Sequence, residues 1–176
     1  MASVTYGKYV FGLRDLKITN LAGTLQEDLD ASQELTFTPE FRVGEQFGDD
    51  ALKAVISFII GGTASITGGS MSSAAMAIAT GRTLTTSGSS PNEVTELKLS
   101  AGDNMPYFKI YGKAVDEGSG DMFILLAKCK ITGGLAFTFQ DNEFLTPGFE
   151  VRCVDDGSNG VAKIIQHETA TTLPTS

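Results

Sequence analysis

Glu34-Leu35-Thr36-Phe37-Thr38-Pro39-Glu40-Phe41 alternates polar and apolar residues with period two. Successive side chains of a β-strand point to opposite sides, so Leu35, Phe37 and Phe41 share one face while Glu34, Thr36, Thr38 and Glu40 share the other. This is the pattern of an antiparallel strand with one dry face and one wet face. Pro39 has no N–H to give to a ladder, so the strand either frays there or runs along a sheet edge. The period returns in Phe123–Ile131, where Lys128 and Lys130 interrupt the apolar set. It returns again in Leu135–Gln140 and in Phe149–Cys153, with Glu150 and Arg152 on the wet side. Further strands are expected near Tyr9–Thr19, Val94–Leu99, Tyr107–Val115 and Val161–His167. The chain reads as mainly β.

Val55, Ile56, Phe58, Ile59 and Ile60 depart from the alternation, because they put apolar groups on both faces. Either this strand is central in a sheet, or its second face is covered by another subunit. Between it and Phe41, residues Arg42 to Asp50 carry Gly44, Gly48 and several charges and are expected to form an extended loop. One stretch, Ser70 to Thr80, reads as a helix. It is rich in alanine and methionine, has Ser70 as an N-cap and stops at Gly81. Met71, Ala74, Ala75, Ile78 and Ala79 form its buried stripe. The pairs Gly61-Gly62, Gly68-Gly69 and Gly133-Gly134, with Asp156-Gly157, mark turns or bulges. Ser87 to Pro91 reads as a flexible connection, and residues 169–176 have little to pack against.

The 176 residues fit a single domain, with 41% apolar residues, 19% charged residues and 20 glycines. A mean hydropathy of +0.04 excludes intrinsic disorder. The net charge of −8 repels phosphate and weighs against sequence-specific binding of nucleic acid. Eight of the 21 acids lie between Glu27 and Asp50, with only Arg42 to oppose them, so almost all the excess charge belongs to one segment. That segment is either a solvated surface or one whose work depends on repelling an anion. No apolar run approaches the roughly 20 residues of a membrane helix, and Met1 to Leu16 has no apolar stretch of the signal-peptide kind. A soluble protein made in the cytoplasm, with Cys129 and Cys153 reduced in its core, is expected.

Catalytic chemistry finds little material. His167 is the only histidine, and there is no Gly-x-Ser-x-Gly elbow, phosphate-binding loop or dinucleotide fingerprint. One histidine and two separated thiols make a thin set of metal ligands. Asp155-Asp156-Gly157-Ser158-Asn159-Gly160 lacks the spacing and closing glutamate of a calcium loop and reads as a tight turn. No catalytic residue, cofactor or metal is expected.

Four segments together are similar to the major tail proteins of long-tailed bacteriophages. They are Gly12-Leu13-Arg14-Asp15-Leu16-Lys17-Ile18, then Leu35 to Phe41, then Ile78-Ala79-Thr80-Gly81-Arg82. The fourth is Lys128 to Phe144, with Cys129-Lys130-Ile131-Thr132-Gly133-Gly134 and Phe137-Thr138-Phe139-Gln140-Asp141 followed by Glu143-Phe144. The likeness runs through most of the chain in order. It implies a tail-tube-type β-sandwich or barrel with one short flanking α-helix, assembling into hexameric rings that stack into a hollow virion tail tube. DNA would pass through the lumen without specific binding, and the partners would be further copies and the tape-measure, terminator and tip proteins. On that resemblance, Glu34, Thr36, Thr38 and Glu40 face the lumen. Arg42, Glu45, Phe47, Asp49 and Asp50 belong to an inter-ring loop, and Val55, Ile56, Phe58, Ile59 and Ile60 lie between subunits. The competing readings are a type VI or contractile-type tube subunit or another virion protein, a monomeric carbohydrate-binding sandwich, against which stand the absence of tryptophan and the lack of a companion for Tyr107 and Tyr111, and a hydrolase using His167.

Overall fold

The computed structural model describes residues 10–30, 32–48, 51–116, 120–136, 141, 148–167, 169–170 and 172–173. These form ten strands and one helix. The strands are β1 (Val10–Asn20), β2 (Gln26–Asp28), β3 (Ser32–Gly48), β4 (Ala51–Gly68), β5 (Thr85–Ser87), β6 (Val94–Glu96), β7 (Phe108–Asp116), β8 (Met122–Ala136), β9 (Gly148–Cys153) and β10 (Lys163–Gln166). The helix α1 spans Ser73–Thr80. The main sheet runs β2-β1-β7-β8-β9-β4-β3, with β10 paired to β8, and β5-β6 form a separate hairpin. Every pairing is antiparallel. The fold is mainly β with a sandwich-like sheet.

One face of the sheet carries the core. Leu16, Ile18, Ile66, Phe108, Ile110, Leu126, Phe149 and Val151 are buried there together, and the rings of Phe108 and Phe149 meet edge to face at 6.5 Å. The sheet curls back on itself, so that Leu35 of β3 lies over Gly112 of β7. A Cβ at Gly112 would come within 2.9 Å of the Leu35 side chain. Leu35 and Phe37 therefore pack inward, as their spacing predicts.

Helix α1 closes the open side of this core with Ala75, Ile78 and Ala79. Its N-cap is Ser72, whose hydroxyl accepts from the N–H of Ala75 at 3.0 Å. Ser70, the expected cap, instead donates its N–H to the carbonyl of Asp30, so the chain there is still leaving the sheet. Gly81 ends the helix at φ 69°, a left-handed value that glycine adopts without strain, and donates to the Ala77 carbonyl.

Two expectations are corrected. Arg42 to Gly48 are not a loop: they continue β3 and pair residue by residue with β4, from Arg42 opposite Phe58 to Gly48 opposite Ala51. The β-branched and aromatic residues of β4 supply a partner strand long enough to hold them; Asp49 and Asp50 lie outside the described residues. Leu173, expected in a tail with little to pack against, is 5% exposed and covers Tyr111 and Phe123 on the outer face of β7 and β8; residues 171 and 174–176 lie outside the described residues. Phe137 and Phe139 lie outside the described residues.

Candidate functional site

The wet face of β3 opens onto a polar field four strands wide. Glu34 stands opposite Thr67, Thr36 opposite Ser65, and Thr38 opposite Thr63. On β9 the next partners are Glu150 beside Ser65 and Arg152 beside Thr63, and Lys130 of β8 stands beside Arg152. Directly opposed residues of antiparallel strands share a face, so these side chains line one surface. At its centre Thr36, Thr38, Thr63, Ser65, Thr132 and Glu150 surround a shallow hollow of about 230 Å³.

Charge is graded across this field. The β3 side is acidic: the Glu34 carboxylate accepts from Thr36 Oγ1 at 2.8 Å and from Thr67 Oγ1 at 3.4 Å. The β8 side is basic, with Lys130 Nζ donating to Asn104 Oδ1 at 2.8 Å. Lys128 and Lys130 also lie 5.2 and 5.4 Å from the centre of the Tyr107 ring. Between these sides, Arg152 forms an ion pair with Glu40. The acids of Glu27–Asp50 do not make one surface. Glu27 and Asp28 sit on β2 at the far edge of the sheet, where Lys17 pairs with Asp28 at 3.2 Å.

The structure thus brings Glu34, Thr36, Thr38 and Glu40 together as expected, and adds Thr63, Ser65, Thr67, Glu150, Arg152 and Lys130. The alternation Thr63-Ala64-Ser65-Ile66-Thr67 is visible in the sequence, but the Gly61-Gly62 pair before it reads as a break. In the fold that pair stays in the ladder, opposite Glu40 and Pro39, inside one long strand.

A second feature is an arm. Beyond Gly61, β4 has left β9 and pairs with β3 alone. Every residue of 41–47 and 51–60 whose side chain is described is exposed. The register slips between Glu40 and Phe41, where β4 inserts Ile60. As a result Phe41 stands opposite Ile59, and the core-side face of β3 runs on into the arm as Phe41, Val43, Phe47, Ile59 and Val55, interrupted by Ser57 and Glu45, with nothing behind it. Arg42 opposite Phe58 and Gly44 opposite Ile56 fall on the other face. Phe41, Val43, Phe47, Leu52, Val55, Ile56, Phe58, Ile59 and Ile60 are each 50–67% exposed. Phe41 was expected inside. It leaves the core because the body of the sheet ends at the bulge.

The remaining candidates have structural work. His167 is exposed, and its Nδ1 accepts from the N–H groups of Thr169 and Ala170 at 3.3 and 3.0 Å. Tyr111 is only 2% exposed, and burial raises its phenol pKa, so it offers no stacking platform beside Tyr107. Asp156 accepts from the N–H groups of Ser158 and Asn159 and from the Asn159 amide, which holds its carboxyl down at about 2. That accounts for its turn. Among the described residues no group of three or more His, Cys, Asp or Glu side chains could hold a metal ion, and no helix is long and apolar enough to cross a membrane.

Comparison with protein-family models and with curated protein sequences finds no match to this chain.

Proposed function

We propose that the chain is a self-assembling structural subunit of the bacteriophage tail-tube kind, whose copies close into hexameric rings that stack around a passage for DNA. One observation carries this reading: the arm formed by residues 41–48 and 51–60 is apolar on both faces and covered on neither. Nine large apolar side chains half in water represent on the order of 10 kcal/mol of burial unrealised in the single chain. A lone two-stranded ribbon is marginal in water, so this one needs a partner surface. An identical copy is the partner that every molecule has at hand, and an arm roughly 25 Å long, at about 3.3 Å per residue, reaches well past its own body.

The polar field supports the second half of the reading. Hydroxyls at its centre, with Glu40 and Arg152 satisfying each other, keep the β3 half of the field free of unpaired cations, and Lys128 and Lys130 stand at its β8 edge. A basic lining would hold DNA by counterion release and slow its passage. Glu34, Thr36, Thr38 and Glu40 are assigned to the lumen on this basis. Val55 to Ile60 become an inter-subunit strand, and Arg42, Glu45 and Phe47, with Asp49 and Asp50, the coupling to a neighbouring ring. The virion tail is then the chain's location, and tape-measure, terminator and tip proteins are its other partners.

Negative-stain microscopy of concentrated protein tests the reading against a variant in which residues 43–57 are replaced by an Asn-Gly turn. The full chain is expected to form rings or tubes, and the short-armed variant to stay monomeric and folded. A full-length chain that remains monomeric at every concentration overturns the proposal.

A further inference from the structure

Cys129 and Cys153 are direct cross-strand partners on β8 and β9. Both are fully buried in the core, with their sulfurs 2.8 Å apart. Their place in the ladder follows from a neighbouring bond. The N–H of Val154 donates to the carbonyl of Lys128 at 3.0 Å, which makes 128 and 154 a hydrogen-bonded pair. The two kinds of pair alternate along an antiparallel ladder, so 129 and 153 form a non-hydrogen-bonded pair. In such pairs the Cα atoms approach to about 4.5 Å and the side chains lie closest. That separation falls inside the range a disulfide spans, roughly 4.4–6.8 Å, and both Cβ atoms point to the same face.

We propose that Cys129 and Cys153 are a redox site, a buried dithiol that hydrogen peroxide closes to an intramolecular disulfide locking β8 to β9. One sulfur, as thiolate, attacks a peroxide oxygen. The S–O bond forms, the O–O bond breaks, and the departing hydroxide takes up the proton the thiol released. The second sulfur then attacks the sulfenic sulfur. The S–S bond forms, the S–O bond breaks, and a second water leaves with the remaining proton. Two thiols lose two electrons, and one peroxide becomes two waters.

The surroundings set the pace. The Cys129 thiol donates to the Leu126 carbonyl at 3.7 Å. Its pKa is pushed far up by the hydrogen bond with Cys153, by burial and by the charge of its neighbour. Thiolate is therefore scarce and closure is slow. A small uncharged oxidant fits such an interior better than a bulky disulfide does. Two thiols alone do not make the four-ligand set of a structural zinc site. The site stands independently of the tube assignment, since it rests on the ladder of a single chain.

The test treats the native protein with hydrogen peroxide beside a Cys153→Ala control. The expected result is a peptide pair linked through Cys129 and Cys153 within one chain, with both thiols lost to alkylation in denaturant and restored by dithiothreitol. The oxidised protein should melt about 5–10 °C above the reduced one, as closing a loop of about 25 residues predicts, while treated Cys153→Ala gains nothing. Thiols still free in denaturant after treatment, sulfinic or sulfonic acids without a linked pair, or links only between chains each overturn the proposal.

Discussion

Arg152 on β9 stands beside Thr63 of β4 and reaches diagonally across that strand to the carboxylate of Glu40 on β3. Glu40 stands opposite Gly61, where a Cβ would come within 3.7 Å of the carboxylate, so the glycine leaves the crossing open. The pair is partly solvated, with side-chain exposures of 53% and 30%, so screening keeps its worth small. Glu40→Lys should cost about 0.5–1 kcal/mol by turning attraction into repulsion, and the swap Glu40→Arg with Arg152→Glu should recover most of it. Urea denaturation of the wild type, Glu40→Arg, Arg152→Glu and the swap, taken as a double-mutant cycle, measures the coupling. Equal midpoints for all four would show the pair to be without consequence for the fold.

Reversal of the acids bears on passage as well as stability. Among the described residues Glu34 bonds to the hydroxyls of Thr36 and Thr67, so Glu34→Lys should change stability by less than about 0.5 kcal/mol. In an assembled tube, Glu34→Lys with Glu40→Lys places two new cations per subunit on the lumen. Genome release should slow while tubes still form, most strongly at low salt. Dye-accessible DNA followed after triggering measures it, and release at the wild-type rate removes the lining role.

The two faces of the arm are separable by mutation. Phe41→Ser with Ile59→Ser strips the face continuous with the core, and Ile56→Ser with Phe58→Ser strips the other. None of these side chains is buried against the body, so each double variant should unfold within about 0.5 kcal/mol of the parent. Sedimentation velocity should find both variants monomeric. If only one loses assembly, the other face is not at an interface.

The legible parts of this fold are those set by local chemistry. Alternation placed β1, β7 and β9 within a few residues and found the first parts of β3 and β8, and Gly81 marked the end of α1 because a left-handed cap is a local demand. What stayed hidden depends on distant partners. Gly44 and Gly48 read as loop residues and become strand only because β4 lies alongside, and Gly61-Gly62 read as a break although both stay paired with β3, because glycine pairs also serve turns. The polar field was half visible. Glu34, Thr36, Thr38 and Glu40 follow from one strand, whereas Arg152 and Ser65 join them through pairings 112 and 29 positions apart, which no local pattern encodes.

The caps of α1 give a test of the fold that is independent of function. Ser72→Ala removes the acceptor for the Ala75 N–H and should cost about 1 kcal/mol. Gly81→Ala should cost at least as much. It forces a Cβ into a left-handed position and to 2.8 Å from the ring of Pro106. Chemical denaturation reads both, and a neutral Gly81→Ala would mean that the helix ends differently in solution.

Asp156 predicts a signature at low pH. Its folded-state pKa of about 2 lies below the ordinary carboxylate value, because the ionised form accepts the Asn159 and Ser158 N–H groups and the Asn159 side-chain amide. A depressed pKa means that the folded state favours the charged form. The stabilisation is therefore complete above the unfolded value near 4, is lost as pH falls towards about 2, and is absent below that. Asp156→Asn keeps the turn acceptor but removes the titration. The variant should melt at a lower temperature than the parent at pH 6, with the gap narrowing steadily between pH 4 and pH 2. A gap independent of pH across that window would mean that the Asp156 charge is not what holds the turn.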